Sequence, residues 1–444
     1  MRPNKWKIYL SAVFLMLAAT YTLNAQQGLS PLGMKMAWPL PSWSPAQAID
    51  TGLVINLPSF YLSGYHTGPN IWKGIERNQN GDPFIDLDKW IDQLDSNNEF
   101  LAELELTTLA VSWRNNNNQW GIHHAVRTQA GANYSKDLAV ILSRGNADFI
   151  DQTIDIGPSV RWNSFHEIGL QYAYHVPGKW TLGVRVKRLQ GLQNIETAKN
   201  ALSLYTDPEF YQLTFDVDYK FRQAGILTIE DNEAILLEPN RPWRNFSFAR
   251  NGGWAFDLGA SFTVSENISV QAAILDLGWI HWQHNAREYS SKDIYTFDGI
   301  DVKDIIDLDT LNLEAELDSV REKLGFQDTS INYTNSLPLR AMATIHIKAN
   351  DNHRFALSGI YRKVEGMDPD LGLAVQWNAD WFSWLSVGLQ YGIQNKQYDH
   401  LGINILIDLK YVQLYGWTDS MFHFNRDRDI HVNGGFGAVL TFTR

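Results

Sequence analysis

From Leu101 to Thr443 the chain repeats one design: segments of about ten residues in which apolar and polar side chains alternate. Each segment is closed by Gly, Asn, Asp or Pro. In Glu167 to Val176, the residues Ile168, Leu170, Tyr172, Tyr174 and Val176 share one face, and Glu167, Gly169, Gln171, Ala173 and His175 share the other. Across the turn Val176-Pro177-Gly178-Lys179, the next segment sets Trp180, Leu182, Val184 and Val186 against Thr181, Gly183, Arg185 and Lys187. The pattern recurs at 254–264, 339–348, 385–393, 401–409 and 432–442. A period of two puts alternate side chains on opposite faces of a strand, so each strand separates an apolar medium from a polar one.

A soluble sandwich alternates too, and three details favour the membrane instead. Strands of about ten residues exceed the usual five or six, and that length crosses a bilayer when tilted. The apolar faces carry aromatic residues near their ends, and the chain holds 17 Trp, 18 Tyr and 21 Phe. Rings with one polar edge suit the two girdles of a transmembrane barrel, although Trp-rich sugar-binding modules also concentrate them. The polar faces mix Gly with Arg, Lys, His and Gln, as a wet lumen does. In hydrocarbon only a closed sheet leaves no backbone edge unpaired. The expected fold is therefore all-β, a transmembrane antiparallel β-barrel of about 14 strands, even numbers being the rule for such barrels.

The N-terminus reads as an export signal. Arg2, Lys5 and Lys7 precede the apolar run from Ile8 to Ala19, and Leu23-Asn24-Ala25 offers a cleavage point. That run is shorter than the roughly 20 residues of a membrane-spanning helix. Residues 1–25 are assigned to the signal peptide, 26–98 to a plug- or hatch-like segment, and 99–444 to the barrel. Pro31, Pro39, Pro41 and Pro45 interrupt any regular element in the second of these, and 86–96 has the spacing of a short amphipathic helix. An acidic stretch at 298–324 is expected to be a long loop containing a helix. The formal charge of −12 becomes −15 once Arg2, Lys5 and Lys7 are removed, which argues against nucleic acid as a partner. With no Cys, disulfides and thiolate chemistry are excluded.

Catalytic and metal-binding signatures are weak. There is no G-x-S-x-G, H-E-x-x-H or phosphate-cradling glycine loop. Ser269 and Ser358 fall on strands with no His and acid in register. His281 and His284, three apart on a strand, face opposite sides, and the adjacent pair His123-His124 fails as a ligand pair for the same reason. Glu76 to Asp88 hints at a calcium loop, but Pro83 interrupts it and Leu87 stands where a Glu is needed. No enzyme activity, cofactor or metal is expected.

Leu275-Asp276-Leu277-Gly278-Trp279-Ile280-His281-Trp282, then Tyr295 to Asp301, then Val412 to Asp419 carry a resemblance. Together these motifs resemble an uncharacterised domain-of-unknown-function family of Bacteroidota outer-membrane β-barrel proteins, itself similar to the FadL-type long-chain fatty-acid transporter barrels. Where relatives carry Asn-Pro-Ala near the start, this chain has Ser44-Pro45-Ala46, and it ends Phe442-Thr443-Arg444 where relatives often end on an aromatic. The resemblance implies residence in the outer membrane and passive transport of hydrophobic or amphipathic small molecules. The lumen-facing candidates are Gln171, His175, Arg185, Lys187, Asp257, Arg340, His346, Lys348 and Gln390. The alternative is an accessory barrel of a protein-secretion or gliding complex, with the acidic loop docking a protein partner. Expected partners are the lipid bilayer and either a hydrophobic small molecule or a secretion-complex protein.

Overall fold

The alternating segments pair with their sequence neighbours into antiparallel hairpins, and the last pairs with the first. The computed structural model describes residues 28–34, 43–70, 75–77, 83–230, 233–236, 250–297, 323–363, 369–394, 397–421 and 428–443. Its staves are β1 (Gly52–Asn56), β2 (Ser59–Pro69), β3 (Asn97–Asn115), β4 (Asn118–Ser135), β5 (Ser159–Val176), β6 (Trp180–Thr206), β7 (Gly252–Ser265) and β8 (Ile268–Trp282). The ring continues through β9 (Leu339–Lys348), β10 (His353–Lys363), β11 (Asp370–Phe382), β12 (Leu385–Gln394), β13 (Gln397–Leu409), β14 (Val412–Thr418) and β15 (Arg428–Thr443). β1 and β2 form one stave interrupted at Leu57-Pro58, and both pair with β3 on one side and β15 on the other. The result is a closed antiparallel barrel of 14 staves.

One expectation is corrected by this closure. The first stave lies at 52–69, inside the segment assigned from sequence to the plug, so the barrel begins before residue 99. Pro58 obscured it. A proline cannot donate to the ladder and argues against a central strand, but here it falls at the break between two collinear pieces.

Short turns gather at one end of the barrel. Asn116, Gly178 and Lys410, all at positive φ, sit in the turns after β3, β5 and β13. The first residue of β1 and the last of β15 lie at this end too, paired with each other. At the other end the connections are longer. The upper half of β6 leaves β7 and pairs with strand Leu213–Gly225, which pairs in turn with Arg287–Phe297. Three short α-helices also lie among the described residues: α1 (Ser30–Gly33), α2 (Leu87–Asp92) and α3 (Lys136–Arg144). α2 occupies part of the expected 86–96 helix, with Asp86 accepting from the Lys89 N–H as its cap. That contact holds the Asp86 carboxyl below the usual carboxylate range. The helix packs on α3 through Ile91, Leu94 and Val140 at the loop end. Of the acidic stretch, 298–322 lies outside the described residues, as do 78–82 of the calcium-like segment.

Burial is inverted relative to a soluble protein. On β5 and β6 the apolar Leu170 and Leu182 are 62% and 54% exposed, whereas Arg185 and Lys187 are 1% and 0% exposed. An apolar outer surface around a sealed polar interior is stable only in lipid, so this is an outer-membrane barrel. Aromatic side chains edge the outer surface. Trp113, Trp120, Trp180, Trp381, Phe382, Trp384, Tyr411 and Phe442 are exposed toward the turn end, and Trp254 and Trp279 pair further up the wall. The eight residue steps from Trp254 to Phe262 on β7 span about 20 Å of membrane thickness, at the rise and tilt of such strands. No helix among the described residues is long and apolar enough to cross a membrane.

Val184 is exposed at mid-stave on the lipid side. Val184→Arg should lower the unfolding free energy by about 2–4 kcal/mol when the barrel is titrated with urea out of phospholipid vesicles. At an exposed site of a water-soluble protein the same change would stay within about 0.5 kcal/mol. A shift that small would show that this face is not in lipid.

Candidate functional site: a charged septum and an N-terminal strap in the lumen

The inward face of each stave is set by the strand period, and one irregularity resets it. In β8 the outward positions run Ile268, Val270, Ala272 and Ile274, then change phase to Leu277 and Trp279. The register shows why: Asp257 of β7 faces both Leu275 and Asp276, a β-bulge with Asp276 at φ +62°. A non-glycine residue in that region is strained, and it persists here because its surroundings hold it. The Asp276 N–H donates to Asp257 Oδ1 at 2.8 Å, and the side chain turns into the lumen.

Three cations converge on that carboxylate. Arg127 donates to it twice, at 2.9 and 3.1 Å, Lys187 Nζ at 2.7 Å and Arg340 Nε at 2.7 Å. Lys187 also reaches Asp257 at 2.8 Å, which Arg185 meets at 2.8 Å as well. Glu167 stands 3.5 Å from Arg127 and 3.0 Å from His123 Nε2, and Glu105 lies 3.6 Å from Arg127. Arg362 pairs with Glu103, to which Gln129 donates at 2.8 Å. Five cationic side chains thus face five carboxylates, and the cluster is neutral. It spans the lumen as a septum. Charges so deeply buried persist only when paired, and removing one partner typically costs about 3–5 kcal/mol.

A second closure comes from the chain's own beginning. Wall side chains hold alternate carbonyls of 43–49: Arg185 donates to Trp43 O at 3.1 Å, Gln171 to Pro45 O at 3.0 Å, Gln119 to Gln47 O at 3.0 Å and Arg114 to Ile49 O at 2.6 Å. These donors stand on β6, β5, β4 and β3, so the strap runs along the inner wall from stave to stave. Gly183 and Gly259, partners across β6 and β7, make the notch it occupies. A Cβ at Gly183 would lie 2.3 Å from Pro45 O, and one at Gly259 would lie 2.5 Å from Ser44 Oγ. Further along the wall, Asp419 accepts the backbone N–H groups of Leu29 and Ser30 at 2.5 and 3.0 Å, and Asn378 donates to Gly33 O at 2.9 Å.

The sequence-derived candidates fall into three groups. Arg185, Lys187, Asp257 and Arg340 meet in the septum. Gln171 bridges septum and strap by accepting from Arg185 at 2.7 Å while donating to Pro45, and His175 joins Gln119 and Thr181 nearby. The remaining three stand apart. His346 lines a small cavity beside Met34 and Trp43, Gln390 is buried on β12, and Lys348 is half-exposed at the turn end, 2.7 Å from Asp351. Glu103, Glu105, Arg127, Glu167, Asp276 and Arg362 were not singled out from sequence. Alternation marks most of them as inward, and the phase change after Ile274 is the signal for Asp276. No group of three His, Asp or Glu among the described residues is placed to hold a metal ion.

A closed barrel with an outward apolar belt and a polar, self-neutral interior defines the class: a transmembrane β-barrel of the outer membrane. The chain belongs to the family described as "Family of unknown function (DUF5723)", whose model matches residues 45–419. Those limits are Pro45 of the strap and Asp419, the carboxylate that holds residues 29 and 30. No curated protein matches the chain. Among solved structures it is similar to the toluene transporter TbuX of Ralstonia pickettii, at 10% identity over 89% of this chain and 91% of that one, with a TM-score of 0.42. It is also similar to the toluene transporter TodX of Pseudomonas putida, at 8% identity over 88% and 91%, TM-score 0.40. A FadL homologue of Pseudomonas aeruginosa matches at 10% identity over 88% and 90%, TM-score 0.40.

Two substitutions separate the two closures. Asp276→Ala should destabilise the folded barrel by about 3–5 kcal/mol, read from urea titration in vesicles, because three cations lose a partner. Gly259→Leu should leave the barrel folded, as judged by its slower migration in unheated SDS gels, but expose 43–50 to added protease. A strap still protected in Gly259→Leu would mean that the notch does not hold it.

Proposed function

We propose that this protein is a gated outer-membrane channel for the passive passage of small amphipathic molecules, with the septum as its gate and the N-terminal strap as its plug. The observation that carries this reading is a lumen closed by ion pairs and amide contacts, with a small cavity of about 40 Å³ on the loop side of the septum. Its lining combines apolar Leu101 and Pro338 with the amide of Gln129 and the charged Arg161, Glu196 and Arg362. Short turns face the periplasm and long loops the exterior in bacterial barrels, so this chamber faces outside. A mixed lining suits a molecule with a polar end better than a plain hydrocarbon. The gate below it is held by ion pairs and amide contacts, which rearrange by exchanging partners, not by a packed apolar core that resists deformation.

The accessory role in a secretion or gliding complex has no observation in its favour, and the acidic stretch that would support it lies almost wholly outside the described residues.

Reconstitution into liposomes tests the passage reading. Uptake of an amphiphile such as octanoate should exceed that of protein-free vesicles, sucrose should cause no swelling, and Gly259→Leu should raise uptake by loosening the plug. Toluene serves as the apolar comparison. Uptake equal to protein-free vesicles for every probe, in both wild type and variant, would end the channel reading.

A further inference from the structure

One patch of the outer wall breaks the apolar belt. On β4, His124 and Thr128 share the outward face with Trp120, Ile122 and Ala130, because their neighbours His123 and Arg127 point into the lumen. On β5, Ser164 and His166 share the outward face with Trp162, Ile168 and Leu170, around the inward Glu167. β3 adds Thr108, the extra residue of a β-bulge, since Thr107 and Leu109 face the consecutive residues Ala125 and His124. These five side chains touch. Thr108 Oγ1 lies 2.8 Å from His124 Nδ1 and 3.2 Å from the His124 carbonyl, and His124 Nε2 lies 3.2 Å from His166 Nδ1. Thr128 Oγ1 lies 2.9 Å from Ser164 Oγ. Along the same staves exposed apolar residues bound the patch on both sides, Phe100 and Trp162 toward the loops and Trp113, Trp120 and Leu170 toward the turns. The patch therefore lies within the hydrocarbon belt.

Its hydrogen bonds are one acceptor short. Thr108 donates to the His124 carbonyl, His124 Nδ1–H to Thr108, and His166 Nδ1–H to His124 Nε2, which uses both neutral imidazoles. Thr128 and Ser164 share a single contact, so one hydroxyl donates to the other and the second O–H finds no acceptor among the described residues. Lipid tails offer none, and an unmet donor in hydrocarbon is costly. Beside the patch runs a strip of small residues. Gly64, Ala102 and Ala130 are successive partners across β2, β3 and β4, and a Cβ at Gly64 would meet nothing within 4 Å. Small residues of this kind let a second backbone approach closely within a membrane.

We propose that this face binds a second copy of this chain, patch against patch about a two-fold axis. Hydroxyl groups donate and accept alike, so an uncharged set of them is complementary to its own image, and an isologous contact supplies the missing acceptor. An ionic partner would find no charge to pair with in the patch. Arg188, one stave beyond it, is turned away onto the Gly253 carbonyl and the Trp254 ring. Four staves at a spacing of about 4.8 Å, over about 25 Å of apolar belt, offer roughly 500 Å² per copy, against about 800 Å² per partner in a standard interface. Association therefore depends on the polar contacts more than on area. The contact lies outside the wall and is independent of the passage reading.

The chain has no Cys, so a single introduced thiol reports on one position. The test uses the full chain in phospholipid vesicles, oxidised with iodine, which partitions into hydrocarbon. Val126→Cys, at the centre of the patch, and Ala130→Cys, at its edge, should form a disulfide-linked dimer severalfold faster than Val375→Cys. Val375 is exposed on β11, the tenth stave of the ring, opposite β4, the third. His124→Leu combined with Thr128→Val makes the patch apolar and should weaken dimerisation about tenfold, the effect of losing one or two hydrogen bonds, as read by sedimentation in detergent. Heat-dependent migration in SDS gels checks that the barrel of this variant is folded. The proposal is overturned if neither patch thiol cross-links faster than Val375→Cys. It is equally overturned if the apolar variant dimerises as wild type does while its barrel resists more urea, because the patch would then face lipid alone. In native outer membranes, a cross-linked product of another mass in place of the homodimer would assign the face to a different protein and end the proposal of a second copy.

Discussion

Every backbone N–H and C=O that crosses hydrocarbon must find its partner within the protein, and the rest of this structure follows from that. The chain meets the demand by closing 14 staves into a ring, with the broken first stave paired on both sides. Closure then fixes what each residue meets. One set of side chains faces lipid and must be apolar. The other is sealed inside, where an unpaired charge is costly. The balance of Arg127, Arg185, Lys187, Arg340 and Arg362 against Glu103, Glu105, Glu167, Asp257 and Asp276 is therefore a condition of folding.

The bulge at Asp276 shows how far the barrel goes to meet this second condition. A regular β8 would point that carboxylate at lipid. One extra residue turns it inward, and three cations together with Asp257 hold it there in a strained backbone conformation. Removing the bulge would strand the cations of three different staves. The local irregularity and the global charge balance are one feature.

Strap and septum are joined by shared side chains. Arg185 contacts Asp257 and the Trp43 carbonyl, and Gln171 contacts Arg185 and the Pro45 carbonyl. Most wall contacts to 43–49 are to main-chain carbonyls, so the wall recognises the path of the strap more than its side chains. The groups that matter are the carbonyl positions and the space left by Gly183 and Gly259.

Much of this was legible in the residues. Alternation in long segments, aromatic rings at their ends and the polar composition of the other face determined a membrane barrel, its approximate stave number and the inward direction of Arg185, Lys187, Asp257 and Arg340, because a strand's two faces are set by its own period. Other features needed the fold. Pro58 masked the first stave, since a proline is tolerated there only because its two flanking pieces are collinear in a closed ring. α2 had the right periodicity for a helix, but only packing on α3 placed it at the loop end. That Glu103 meets Arg362 is a matter of ring closure: the two are far apart in sequence and seven staves apart in space, and nothing local to either encodes the other. A strand's pattern tells which way a side chain points; only the circumference of the barrel decides what it meets there.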